Sequence, residues 1–175
     1  MSDLDTLWNY DDPSGSESRI RALLERDLAP AVRIEALARL ARAEGLQRRF
    51  ADGHRTLDEA ERLAEADRDR ATIALERGRL ERSAGAVDAS RPFCPDGAQV
   101  AVGAGADGLA VDAAHMIAIV SDPDDAIAWN ERALALAESS SDPDARRWVG
   151  SLANNLGWVY HERGEAAVAL TWFER

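Results

Sequence analysis

Between residues 156 and 173 the chain reads L-G-x-x-Y-x-x-x-G-x-x-x-x-A-x-x-x-F, carried by Leu156, Gly157, Tyr160, Gly164, Ala169 and Phe173. Residues three and four apart share one face of a helix, so Leu156, Gly157 and Tyr160 define a single inner stripe. Gly157 lets a neighbouring helix come close, and Gly164 ends the first helix. Ala169 and Phe173 then give a second helix a small-then-large inner face. One such helix pair cannot bury its own apolar side. The pattern therefore requires stacked neighbours, at least three units in all.

On these residues the chain resembles the tetratricopeptide repeat (TPR) family, whose unit is a helix-turn-helix of about 34 residues. The resemblance implies an all-α fold, a TPR-like solenoid with a right-handed superhelical path. Weaker copies precede the terminal unit. Leu37, Leu40 and Ala41 predict a helix from Ala31 to near Gly45, with Leu40 and Ala41 standing where Leu156 and Gly157 stand. Phe50, Gly53, Leu57, Ala60 and Leu63 predict its return. Ala74 and Gly78 mark a third helix, with a turn at Gly85 and a partner helix holding Ser90, Cys94 and Gly97. Ala110, Ala113, Ala114 and Ile117 mark the next, then a turn at Ser121 to Asp124, then Ala126, Asn130 and Ala133. The small residues Gly53, Ser90, Ala126 and Ala169 are 37, 36 and 43 residues apart. The stretch from Ser139 to Pro143 absorbs the long interval. Such long units resemble those of kinesin light chains and of bacterial regulators with TPR sensor domains. The expected organisation is an N-terminal segment and helix over 1–30, then about four units over 31–175, the last incomplete.

Several residues depart from the pattern. Glu44, Arg77 and Glu81 stand where apolar residues are expected. Pro92, Pro95 and Gly97 oppose helix, since an interior proline costs roughly 3 kcal/mol; a distorted segment is expected between Pro92 and Gly105. Near the N-terminus, Leu4, Leu7, Trp8 and Tyr10 predict a segment pinned to the first helices. A turn at Asp11, Asp12 and Pro13 follows, then a helix capped by Ser14 or Ser16.

The chain carries 32 acidic residues against 21 basic ones, a formal net charge of −11, and every basic residue is arginine. That balance disfavours duplex nucleic acid as a direct partner. The single cysteine, Cys94, excludes an internal disulfide. The acidic start has no apolar run of the kind a signal peptide carries, and no window approaches a membrane span. We expect a cytoplasmic protein with no membrane partner.

Motifs for chemistry are sparse. Residues 103–108 read G-x-G-x-x-G, a dinucleotide fingerprint if residues 99–102 form a strand. The flanks have helical period, and too few residues precede a returning strand for a crossover, so an interhelical turn is expected. His54, His115 and His161 lie in different units, and no paired-histidine zinc motif accompanies them. Cys94 lacks an evident activating base, and Ser151 lacks a nucleophile elbow. Asp122 and Asp142, each before a proline, read as helix caps. No catalytic, metal or cofactor site is predicted.

In the TPR family the first helices line a concave groove that binds peptides. Carried over by register, the resemblance places Arg39, Arg42, Arg79, Arg82, His115, Asn154, Asn155, Trp158 and His161 on that face, with Glu76, Asp112 and Glu162 beside them. Arginine forks carboxylates and asparagine holds peptide backbone. The expected function is a non-enzymatic scaffold for a peptide or protein partner, acidic if the arginines lead recognition. The alternative is a sensor domain taking a small ligand or signalling peptide. Ala166, Ala169, Leu170, Trp172 and Phe173 would leave an apolar end, which predicts either further chain beyond Arg175 or a homodimer through the C-terminal helix.

Overall fold

Two tight turns show how this alternation is built. Gly85 and Gly164 have φ of 88° and 79°, a left-handed conformation that costs an L side chain roughly 1–2 kcal/mol. Each ends one helix and starts its partner. The computed structural model describes residues 3–90, 93 and 105–175. The predicted distortion at Pro92, Pro95 and Gly97, the position of Cys94 and the candidate strand at 99–102 lie outside the described residues.

The described residues contain helices and no strand. The chain divides into two compact units, residues 1–93 and 94–175. The first holds α1 (Asp3–Leu7), α2 (Pro13–Leu24), α3 (Pro30–Leu46), α4 (Phe50–Leu63), α5 (Asp67–Ser83) and α6 (Val87–Ser90). Helix α3 packs on α2, α4 and α5. Ile34, Leu37, Ala41, Leu57, Ala60, Ile73 and Leu80 form its main core. A smaller core joins Leu4, Ile20, Ala36 and Leu40, with Leu7 and Trp8 against it. The N-terminal segment is thus pinned through its apolar residues.

The second unit holds α7 (Asp107–Val120), α8 (Pro123–Ser139), α9 (Pro143–Arg146), α10 (Val149–Glu162) and α11 (Ala166–Phe173). Helix α7 pairs with α8, α10 pairs with α11, and α8 packs on α10. Val111, Ala133, Leu134, Ala137, Leu152 and Leu156 form its core, with Trp129, Trp148 and Trp172 packed around it.

A common register runs through both units. The fourth residue of α2, α4, α6, α8 and α11 is Ser16, Gly53, Ser90, Ala126 and Ala169 in turn, small and buried each time. Ala41, Gly78, Ala114 and Gly157 are buried too, each 12 residues earlier on the preceding first helix. Small residues at these two points let paired helix axes approach closely. At Gly157 an added Cβ would lie 2.4 Å from the Phe173 ring. Ser16 extends the series toward the N-terminus, so α1 and α2 share the spacing of the later pairs.

One local expectation changes. The cap of α2 is Asp12, whose Oδ1 accepts from the Gly15 backbone N at 2.8 Å, and not Ser14 or Ser16. Pro13 starts the helix because its missing N–H is not needed there. Ser16 is fully buried and bonds to the Asn9 backbone. Within the long interval, α9 forms a single turn after the cap expected at Asp142. Asp142 caps it through the Asp144 backbone N at 2.9 Å. The same carboxylate accepts from Gly108 N at 3.1 Å. A Cβ on Gly108 would lie 2.9 Å from Asp144 Cβ. The last glycine of the fingerprint is therefore taken up by helix packing.

Candidate functional site

Six of the nine residues predicted to line a groove fall at two fixed places in the register. Arg42, Arg79, His115 and Trp158 each follow the small inner residue of a first helix. Arg39, Glu76, Asp112 and Asn155 each stand two before it. Neighbouring first helices meet through these places. Within the first unit, Arg42 on α3 donates to Glu76 on α5 through Nε at 3.0 Å and through Nη2. Within the second, Asn155 on α10 bonds Nδ1 of His115 on α7 at 3.1 Å. The structure thus joins Arg42 to Glu76 and His115 to Asn155 as rungs between first helices.

Glu76 takes a second cation, since Arg79 also donates to it. Its side chain is only 5% exposed. Burial pushes its carboxyl up, but Arg42 and Arg79 outweigh burial and hold it below the usual range. A carboxylate facing two guanidiniums inside a helix pair is charged for that reason. Arg42 also stacks on the Trp8 ring at 5.9 Å and reaches the Tyr10 hydroxyl at 3.5 Å. Arg39 pairs with Glu35 at 3.1 Å. Three of the four arginines expected to face a partner therefore spend charge on carboxylates of their own chain, while Arg82 is exposed.

Glu44, the first departure from the repeat pattern, forms another polar centre in the first unit. It is buried between α2, α3 and α4, where it accepts from Arg21 Nη2 and Thr56 Oγ1, both at 2.7 Å. Arg49 stands 3.8 Å away. Burial raises its carboxyl above the ordinary range, because bonds from Thr56, Arg21 and Arg49 do not offset the lost water and Glu17 repels it. A polar cleft of about 310 Å³ opens here, lined by Arg21, Glu44, Asp52, Arg55, Thr56 and Glu59. Sequence reasoning missed it as a centre. The signal was Glu44 itself, at an apolar register position.

In the second unit the His115 ring also lies 5.2 Å from the Trp148 ring. Trp158 occupies the register place that Arg42 and His115 use as rungs, yet is 53% exposed. The rings of His161 and Phe173 lie 5.6 and 5.5 Å from it between ring centres, inclined at 83° and 71°. Ser151, Asn154, Trp158, His161 and Glu162 are all exposed and share one side of α10 by their spacing. Val168, Leu170 and Phe173 on α11 are exposed at 40%, 56% and 42%. Among the described residues no group of histidines, cysteines and carboxylates could hold a metal. No described helix is long and apolar enough to cross a membrane.

Comparison with known proteins agrees with this architecture. Residues 108–175 match the tetratricopeptide repeat family model. The crystal structure of BtubC (BKLC) from P. vanneervenii has a similar fold, with a TM-score of 0.70 at 16% identity, over 94% of this chain and 71% of that one. No curated protein matches in sequence. Residues 108–175 are tetratricopeptide-repeat-like in sequence, and the chain as a whole has a TPR-like solenoid fold. TPR repeats generally mediate protein–protein interaction, and the family and fold are typically non-enzymatic scaffolds.

Proposed function

We propose that this chain is a non-enzymatic scaffold that holds an extended or helical segment of a partner protein against its first helices. The observation that carries this reading is the side of α10 bearing Asn154, Trp158 and His161. It combines a half-exposed indole, an exposed amide and an exposed imidazole on a rigid helix. Large aromatic side chains supply contact area at low entropic cost, and an amide can hold peptide backbone. The apolar residues of α11 extend the same reading to a second copy of the chain, docked through the C-terminal helix. A cytoplasmic setting is consistent with one cysteine and an acidic surface.

Site-specific photo-crosslinking tests the scaffold reading. A photoreactive residue placed at Asn154 should capture a partner in extracts of the native cell. The same group at Glu131, an exposed position on second helix α8, should not. Equal capture at both positions would mean that the first helices have no privileged role.

A further inference from the structure

The scaffold reading leaves the partner's chemistry open, and the charge of the second unit selects it. Residues 94–175 carry 13 acidic side chains against 5 arginines, whereas residues 1–93 carry 19 against 16. The net charges are −8 and −3. Four of the five arginines of the second unit are occupied locally. Arg163 pairs with Asp124 and Glu165, Arg175 with Glu138, and Arg147 with Asp144. Arg132 and Arg175 also lie over the rings of Trp129 and Trp172. That leaves the unit that bears the exposed indole of Trp158 with a surplus of acid.

Trp158 is suited to a cation. The rings of His161 and Phe173 lie steeply inclined beside it, and about half of it stays open to solvent. An indole face attracts guanidinium or ammonium through its quadrupole. Glu162, four residues on and one helical turn away, is exposed and in no ion pair among the described residues. Asn154, one turn the other way, is exposed as well. A cation over the indole could therefore meet a carboxylate on the same side, while Asn154 holds the adjoining backbone.

We infer that the exposed face of α10 built from Asn154, Trp158 and Glu162 docks a basic, arginine- or lysine-bearing segment of a partner protein. This inference rests on the scaffold reading and reverses the sign of partner that the arginines of the first unit suggested. Those arginines are largely neutralised by Glu76 and Glu35, whereas Glu162 is in no ion pair among the described residues.

Fluorescence anisotropy with two labelled peptides tests it on the full chain. One peptide alternates arginine and serine; the other carries glutamate for arginine. The arginine peptide should bind, with affinity falling as salt screens the charges. Trp158→Ala should weaken it about tenfold, the size of a partly desolvated cation–π contact. Glu162→Gln should weaken it about threefold and flatten the salt dependence. Both positions are exposed, so circular dichroism should show unchanged helix. Binding of the glutamate peptide alone would leave the scaffold reading standing and overturn this one. Arginine-peptide binding unaffected by either substitution would place the basic site elsewhere and overturn the assignment to α10. Binding of neither peptide would count against both readings at this face.

Discussion

Residues 1–93 and 94–175 stack the same kind of helix pair by different means. The first unit joins its helices with buried ions. Glu76 links α3 to α5, and Glu44 lies between α2, α3 and α4 with Arg21 and Thr56 as partners. Among the described residues the second has no comparable buried carboxylate. It joins α7, α8 and α10 through Val111, Leu134, Leu152 and Leu156, with three tryptophans around them. An ionic join is directional and sets register, but taking charges out of water offsets much of its gain. An apolar join stabilises in proportion to area and leaves the charges outside.

The largest expected effect is in the apolar unit. Leu156 is fully buried, and Leu156→Ala should cost about 3–4 kcal/mol in urea unfolding. A cost below about 1 kcal/mol would show that its pocket collapses readily and that the apolar core is not what holds the unit. Next comes Glu76→Ala, which leaves Arg42 and Arg79 facing a gap. Removing one partner of a buried pair typically costs about 3–5 kcal/mol, and water still reaches both arginines, so about 3 kcal/mol is expected. Glu76→Met would sharpen the contrast. If the ionic join sets register and adds little stability, that variant should lose less than the alanine variant.

The two carboxylates of the first unit should respond oppositely to acid. The Glu76 carboxyl is held low, so its contribution is present above the unfolded value of about 4.3 and is lost as pH falls below it. The Glu44 carboxyl is raised by burial, so its contribution is complete below that value and is lost as pH rises through the higher folded one. Acid titration of unfolding stability should therefore be shallower in Glu76→Gln and steeper in Glu44→Gln than in the unmodified chain. Identical slopes in both variants would mean that the two sites have one electrostatic character.

Smaller effects complete the comparison. Gly157→Ala forces the Phe173 ring to move, since the added carbon would overlap it. Because Phe173 is 42% exposed and can swing outward, the cost should be about 1 kcal/mol. The Trp158 emission environment should change with it. A cost several times larger would reveal a tighter second unit than the exposure of Phe173 suggests. Arg163→Ala removes surface pairs to Asp124 and Glu165 and should leave the melting temperature within measurement error.

The terminal pattern was the most legible part of the sequence because each residue in it does one local job. Leu156 is buried, Gly157 admits Phe173, Gly164 turns the chain, and Ala169 lies against the pair. Period alone placed α3 and α4 almost to the residue, because Leu, Ala and Gly at three-to-four spacing meet the same packing demand there. The start of α2 was less legible. Ser14, Ser16 and Asp12 all have capping side chains, and the choice fell to Asp12 because Ser16 is needed inside. The helix within the long interval depended on Asp142 finding both its own turn and Gly108, a contact across 34 residues.

The amino-acid order by itself determined an all-α chain, its repeat interval and the surplus of acid, since period, small-residue spacing and charge are properties of the string. It also named the register places that bear Arg42, His115 and Trp158. Only tertiary structure decided what those places do. A groove position and an inter-helix rung have the same spacing, and they differ only in whether a residue on the next first helix stands within hydrogen-bond reach. Glu76 stands there for Arg42 and Asn155 for His115, so those side chains serve cohesion. The indole of Trp158 has the rings of His161 and Phe173 beside it and stays 53% exposed.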